Sequence, residues 1–456
     1  MYITRLRLEN VKLLADQDFS FVRKDGTIRH WTVLVGDNGV CKTTVLQALA
    51  IVTSGDRMTR ALVADAADYV DARDPGRAAK LTADIDVGRD WPHPVGREVE
   101  MSVPPGSHAF QGAKQAGYFD NVRDRREPGH FVVGYGIGRR LPRKGEVPTP
   151  RDPAKTRVES LFDSQQVMLG VDFFEVLKET GGHLEFVAQL RDVLLTEDAD
   201  GNKLLPWLAN LELRGQGGVN TMTKLLESRR VMLEIDGAKF QLAPHQLSQG
   251  YQSMFAWIAD LIGHAFLDAG VAVSLRELEG VVLLDEIDLH LHPTWQRRVV
   301  PILRKVFPRL QFVVTTHSPL VLTGFEADEI IRLELLDDHV VQATFDREPG
   351  MQSGTELMGS YFDVPTAARP ELVVKQERMA ELQALEARTA EQEAELLLTG
   401  AELLPYLEST ELADLQAPDA ITADSAPADL GRLREELRAI KARAKAPLGL
   451  GEEDEA

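Results

Sequence analysis

The stretch Trp31–Thr44 reads WTVLVGDNGVCKTT: a short apolar run, a glycine-bearing turn, then the start of a segment with helical spacing over Thr43–Val52. A loop between a strand and a helix turns its backbone N–H groups toward an anion, and the helix start adds positive potential. Gly36, Asp37, Asn38, Gly39, Val40, Cys41, Lys42, Thr43 and Thr44 therefore form a candidate phosphate loop. Lys42 would reach the outer phosphates of a nucleotide and the Thr43 hydroxyl would ligate Mg²⁺. The usual pattern is G-x-x-x-x-G-K-[ST], and Cys41 stands where its second glycine belongs. A side chain thus enters where backbone has to approach phosphate, so retained binding with slow turnover is expected.

Three further elements follow in the chain. Leu247–Ser253 (LSQGYQS) precedes a helix expected over Ser253–Leu267, and Ser248 with Gly250 would make its start an anion-binding end. Read alone, it is equally a serine N-cap. Val281–Glu286 (VVLLDE) is an apolar strand that ends in two carboxylates of different roles: Asp285 for the Mg²⁺ shell, Glu286 to polarise a water. Val313–Pro319 (VVTTHSP) delivers His317 to the carboxyl end of a strand, where ligands of open α/β sheets collect. His290 and His292 lack the cysteine or third histidine that a metal site would need nearby.

Around these motifs the pattern alternates. Residues 1–50 begin with period-two strands, Met232–Leu242 reads as a hairpin about Asp236-Gly237, and Ile330–Leu335 with Val340–Phe345 forms a last hairpin. From about Val158 to Arg230 the spacing turns helical, which predicts a helical insert. After Pro365 the chain is helical and charged, with Met379, Leu382, Leu385 and Leu396 among many Glu and Arg residues. A linker (Leu415–Asp429) is followed by a stripe, Leu430, Leu433, Leu437 and Ile440, expected to dock on another protein, and an acidic tail.

The 456 residues carry a formal net charge of -20, so a nucleic-acid partner would have to meet a local basic patch: Arg123–Arg126, Arg139–Lys144 or Arg297–Arg309. No run of about 20 apolar residues reads as a membrane span. The N-terminus lacks a secretory plan, and a single cysteine fits a reducing compartment, so a cytoplasmic location is expected.

In the order phosphate loop, long insert, LSQGYQS, LLDEIDLHLHP, TTHSP, the chain resembles the SMC/RecF-type ABC ATPases. Within these it is similar to the AAA-type ATPases of bacterial antiphage systems, the Septu and retron-associated ones. The resemblance covers about residues 1–345 and includes HFVVGYGIGRR (His130–Arg140) and Ser160–Asp163.

It implies an α/β fold: an ABC-type P-loop ATPase domain with a mixed sheet, a helical insert and a helical C-terminal extension. The boundaries would be an N-terminal lobe at 1–157, the insert at 158–230, a C-terminal lobe at 231–350 and the extension at 351–456. It also implies ATP and Mg²⁺ as ligands and ATP hydrolysis as the activity. Lys42 would contact the β/γ-phosphates, Glu286 would be the general base and His317 would meet the γ-phosphate. Ser248, Gln249 and Gly250 would act in trans on the partner copy's ATP, with Asp288 at the subunit boundary. Tyr135, Arg139 and Gln165 neighbour the place where the family's Q-loop glutamine belongs, and none is secured there.

A homodimer or higher homo-oligomer would then switch a separate effector, an HNH nuclease in Septu-like systems. The chain's eleven histidines all lie at or before His339, so its own tail holds no HNH centre, and it lacks the strand-rich acidic cluster of a Toprim nuclease. A RecF-like repair ATPase that binds DNA directly, or an ATP-binding scaffold without turnover, are the rival readings.

Overall fold

A computed structural model describes residues 1–87, 98–112, 119, 130–142, 153–168, 182–211, 231–269, 274–343, 347–362, 370–385 and 387–403. The docking stripe Leu430–Ile440, the linker and tail, the boundary at Lys144–Pro153 (up to residue 152) and the patch Arg123–Arg126 lie outside the described residues.

The elements run β1 Tyr2–Val11, β2 Leu14–Ser20, β3 Trp31–Val35, α1 Lys42–Ser54, α2 Asp56–Leu62, β4 Ala79–Asp86, β5 Glu98–Val103, β6 Gln111–Gly112 and β7 Val132–Tyr135. They continue with α3 Pro153–Glu159, α4 Gly182–Leu194, β8 Leu208–Leu211, β9 Val231–Ile235, β10 Ala238–Leu242, α5 Gln249–Ala269, β11 Gly280–Leu284 and α6 Pro293–Val306. Last come β12 Leu310–Thr315, α7 Pro319–Leu322, β13 Ile330–Leu336, β14 His339–Ala343, α8 Gly354–Phe362, α9 Pro370–Ala384 and α10 Ala390–Leu403.

The central sheet has the order β14-β13-β3-β12-β11-β7. All its pairings are parallel except β13 with β14, so the fold is α/β with a mixed sheet, as the sequence implied. Strands β3, β11 and β12 are buried along their whole length, the signature of a sheet covered on both faces. Because side chains alternate along a strand, these apolar runs divide between two cores. Val33, Val282, Leu284, Phe312 and Val314 join the cluster formed with α4, α5 and α6. Leu34, Val281, Leu283 and Val313 join the cluster formed with α1 and the antiparallel sheet β2-β1-β4-β5-β6.

The stretch expected to be a helical insert is helical over α4, whose Phe186 meets Phe266 of α5 edge to face at 6.2 Å. It also contributes a strand. β8 pairs with β9, giving the small sheet β10-β9-β8. Its helical spacing hid this because β8 takes its partner from outside the insert. At the β9–β10 turn Asp236 and Gly237 both adopt positive φ, 51° and 79°, as that dipeptide predicts.

Residues Met1–Asp363 form one compact unit and Val364–Ala456 a second. In the second, α9 and α10 make a hairpin crossed by ion pairs Arg378–Glu395 at 2.8 Å and Lys375–Glu402 at 2.6 Å. Of the apolar residues expected to face a partner, Leu382 is buried and Leu385 is exposed. Among the described residues no helix is long and apolar enough to cross a membrane.

Trp31 locks β3 to β12. Its indole stacks on Phe312 with centroids 4.3 Å apart, and Arg304 lies over it at 5.2 Å. Trp31→Ala should therefore cost about 3–5 kcal/mol in urea unfolding. A loss below about 1 kcal/mol would contradict this packing account.

Candidate active site

The parallel strands bring their carboxyl ends to one edge of the sheet, and each end carries one part of the site. β3 leads into the phosphate loop. Gly36 has φ 139°, and a Cβ there would lie 2.2 Å from the Leu333 carbonyl oxygen of β13, so the strand-to-loop corner requires glycine. Cys41 is the N-cap of α1 with φ 65° and ψ 22°, a left-handed conformation that costs an L-residue about 1–2 kcal/mol. The usual glycine avoids that strain. Cys41 instead packs, half-buried, against the core shared by α1 and the antiparallel sheet.

Lys42 opens α1, and its ammonium donates to the carbonyl oxygens of Gly36 and Asp37, both at 2.7 Å. Burial pushes its pKa down, opposed chiefly by the nearby Asp285 carboxylate.

β11 ends at Asp285 and β12 at Thr315. Asp285 accepts from the Thr43 hydroxyl through Oδ2 at 2.8 Å and from the Thr315 hydroxyl through Oδ1 at 2.6 Å. The Glu286 N–H donates to the same Thr315 oxygen at 2.7 Å. Asp288, two residues on, accepts from the Thr316 hydroxyl. His317 is half-buried, and burial, reinforced by the Lys42 charge, pushes its imidazole below the ordinary value, which favours the neutral ring.

Asn38, Gly39, Cys41, Lys42, Thr43, Thr44, Asp285, Glu286 and His317 line one cleft of about 330 Å³ together with Lys12 and Thr315. Those last two escaped the sequence reading. Lys12 sits in the tight β1–β2 turn with φ 50°, 4.9 Å from the Tyr69 ring centroid, and only the fold carries that turn to the phosphate loop. Thr315 was legible merely as the end of an apolar run.

Two hard oxygens in contact, Thr43 Oγ1 and Asp285 Oδ2, suit Mg²⁺, which takes few protein ligands and completes its shell with water and phosphate. No cluster of three or more His, Cys, Asp or Glu that could hold a metal ion occurs among the described residues. His292 caps α6 instead, with Nδ1 2.9 Å from the Thr294 hydroxyl.

The signature segment lies elsewhere. Ser248 and Gln249 are exposed at the start of α5, which begins at Gln249 rather than at the expected Ser253. A Cβ on Gly250 would meet the His290 carbonyl oxygen at 2.5 Å, so glycine here lets α5 approach the segment that follows Glu286. None of the three lines the cleft of their own copy.

The three neighbours of the unplaced Q-loop glutamine separate too. Gln165 is exposed, Tyr135 donates to Asp260 of α5 at 3.2 Å, and Arg139 donates to the Glu286 carbonyl. Of the basic patch Arg297–Arg309, Arg304 pairs with Glu329, Arg309 with Glu279 and Arg298 lies 3.9 Å from Asp198, while Arg297 and Lys305 are exposed. Of the patch Arg139–Lys144, Arg139 is buried and residues 143 and 144 lie outside the described residues.

A family model described as "AAA domain, putative AbiEii toxin, Type IV TA system" matches residues 132–323. That span runs from β7 past His317 and leaves out the phosphate loop. A Septu protein PtuA of Bacillus mycoides is 24% identical over 365 residues, covering 78% of this chain and 44% of the relative. The retron Ec83 probable ATPase of Escherichia coli is 43% identical over 98 residues, 22% of this chain and 18% of the relative. The retron Vc95 probable ATPase of Vibrio cholerae is 37% identical over 120 residues, 23% of each.

The chain is thus similar to Septu PtuA proteins and retron-associated probable ATPases and shares an AAA-domain match. It spans less than half the length of these relatives. Among solved structures, an SMC head bound to the C-winged helix domain of ScpA aligns with TM-score 0.49 and 17% identity over 76% of this chain and 98% of that one. The SMC head domain from Thermotoga maritima aligns with TM-score 0.40 and 14% identity over 76% and 100%.

Two outcomes follow from the cleft. Thr315→Val keeps the shape but leaves the Glu286 N–H and an Asp285 oxygen unpaired, so urea unfolding should show a loss of about 1–3 kcal/mol, with Thr315→Ser near neutral. Equal losses for the two variants would contradict the shared-hydroxyl geometry. Cys41, the chain's single cysteine, should be shielded from alkylation by Mg²⁺-ATP, read as adduct mass on the intact protein. Identical labelling with and without nucleotide would place ATP away from the phosphate loop.

Proposed function

We propose that this chain is an ATP-hydrolysing switch subunit of a bacterial antiphage complex. In this reading ATP clamps two copies head to tail, and hydrolysis releases them to control a separate effector. The observation that carries it is the division of the machinery: the cleft gathers Lys42, Thr43, Asp285, Glu286 and His317, while exposed Ser248 and Gln249 stand outside it. A triphosphate in the cleft would be enclosed on one side only, and a second copy's α5 start offers the N–H groups and serine to close the other.

Lys42 exchanges its two loop carbonyls for phosphate oxygens, so its charge is already at the place where it is needed. Thr43 and Asp285 would hold Mg²⁺, which supplies charge neutralisation for the β- and γ-phosphates. Glu286 accepts the proton of a water that attacks the γ-phosphorus, the bond to the β-phosphate oxygen breaks, and ADP and inorganic phosphate leave. Neutral His317 can donate one ring N–H to the γ-phosphate. Cys41, strained at the loop's last position, supports slow turnover rather than lost binding.

The relatives' names support an antiphage setting, and the resemblance implies an HNH nuclease as the effector. Three of the five cations of the Arg297–Arg309 patch lie against carboxylates, which weighs against a repair ATPase that grips DNA through it. A scaffold without turnover is disfavoured by Glu286 and His317, which both line the cleft.

Glu286→Gln should bind Mg²⁺-ATP, lose phosphate release by about 10²–10⁴-fold and elute as a dimer in light-scattering chromatography. A variant that binds ATP yet stays monomeric would refute the clamp.

A further inference from the structure

Glu286 lies at φ 48°, in the left-handed region that a non-glycine residue occupies only when its surroundings over-determine it. Both of its backbone polar groups are held by side chains from outside β11. The N–H donates to Thr315 on β12, and the carbonyl oxygen accepts from Arg139 Nη2 at 2.6 Å and from the Leu289 N–H at 2.9 Å. Arg139 comes from the segment after β7, the strand that pairs with β11 and so runs beside Asp285.

Arg139 is only 5% exposed. Burial pushes its pKa down to about 10, opposed by Asp285, then Asp288, then Glu286. Its Nε has no hydrogen-bond partner among the described residues. A buried guanidinium with an unspent donor is costly, and stability alone gives no reason to keep it.

The segment that bears it has little freedom to move. A Cβ on Gly136 would sit 2.1 Å from the Ser160 carbonyl oxygen, and one on Gly138 2.0 Å from that of Ser164. The Gly136 N–H donates to the Ser160 hydroxyl at 3.1 Å, and the Arg140 carbonyl accepts from the Met168 N–H at 3.0 Å. The arginine therefore projects from a backbone clamped on either side of it.

We propose that Arg139 is a positioning residue for the hydrolytic step. It fixes the Glu286 main chain, and with it the direction of the Glu286 carboxylate, and its charge offsets the three acids crowded at the strand end. This rests on the reading of Glu286 as the base. Arg139 is the side-chain anchor of a carbonyl whose other donor, the Leu289 N–H, belongs to the same turn, so the effect is geometric: loosening the Glu286 backbone leaves the phosphate loop, and hence ATP affinity, in place.

The test compares Arg139→Gln and Arg139→Lys with the unsubstituted protein. Binding of a fluorescent ATP analogue with Mg²⁺ gives affinity and the fraction of competent sites, and phosphate release is expressed per occupied site. Arg139→Gln should bind within about twofold of the parent while kcat per occupied site falls roughly 10–100-fold, with Arg139→Lys in between because it restores charge and one donor.

Turnover per occupied site within about twofold of the parent in both variants would overturn the proposal. So would loss of folding or of nucleotide binding in both, which would make Arg139 a residue of the scaffold. An unsubstituted protein that binds ATP but releases no phosphate would instead remove the hydrolytic reading, and the proposal with it, a failure visible before any variant is made.

Discussion

Asp285 accepts from Thr43, 242 residues away in sequence, and from Thr315, 30 residues on, so one carboxylate ties the start of α1 to the ends of β11 and β12. The tie exists because β3, β12 and β11 are parallel neighbours. Their shared direction places the phosphate loop, the acid pair and the histidine at a single edge. Asp285, Glu286, Thr315 and His317 are reached from that edge within two residues of chain. The bond also sets the electrostatics. The acids there oppose the burial that pushes Lys42 and Arg139 down, and the cations in turn make a cluster of acids tolerable in a half-enclosed space.

The same geometry accounts for the left-handed residues. Cys41 and Glu286 both have positive φ, and each lies where the chain turns sharply off an element to aim a neighbouring group into the cleft. At Cys41 the strain is left to a side chain where the common pattern uses glycine. At Glu286 it is borne by hydrogen bonds from Thr315, Arg139 and the Leu289 N–H. Strain of this kind persists where the surrounding packing is firm, and both residues adjoin fully buried strands of the central sheet.

Much of this was legible in the sequence. β3 and β11 are continuous apolar runs, and such runs bounded by turns read as buried strands. The Asp236-Gly237 turn could be read from two residues. What escaped depends on contacts distant in the chain. β8 pairs with a strand beyond the insert that contains it. Thr315 looked like the polar end of a strand, and its hydroxyl matters only because β11 lies alongside. Arg139 was only a neighbour of an unplaced loop, because its partner is a main-chain carbonyl that no side-chain motif encodes. The expected start of α5, Ser253, lies four residues past the observed one; the first turn admits Gly250 because α5 approaches the His290 carbonyl there. The C-terminal stripe lies outside the described residues.

The central claim is that each nucleotide site is completed by the other copy's α5 start, and it is tested most directly by mixing two inactive variants. Lys42→Ala spoils its own cleft, and Ser248→Arg spoils its partner's. In a head-to-tail pair made of one of each, one of the two sites keeps an intact cleft facing an intact serine. The account predicts that the mixture regains phosphate release, up to about a quarter of the unsubstituted rate if pairs form at random. A mixture no more active than its two components measured apart would contradict it.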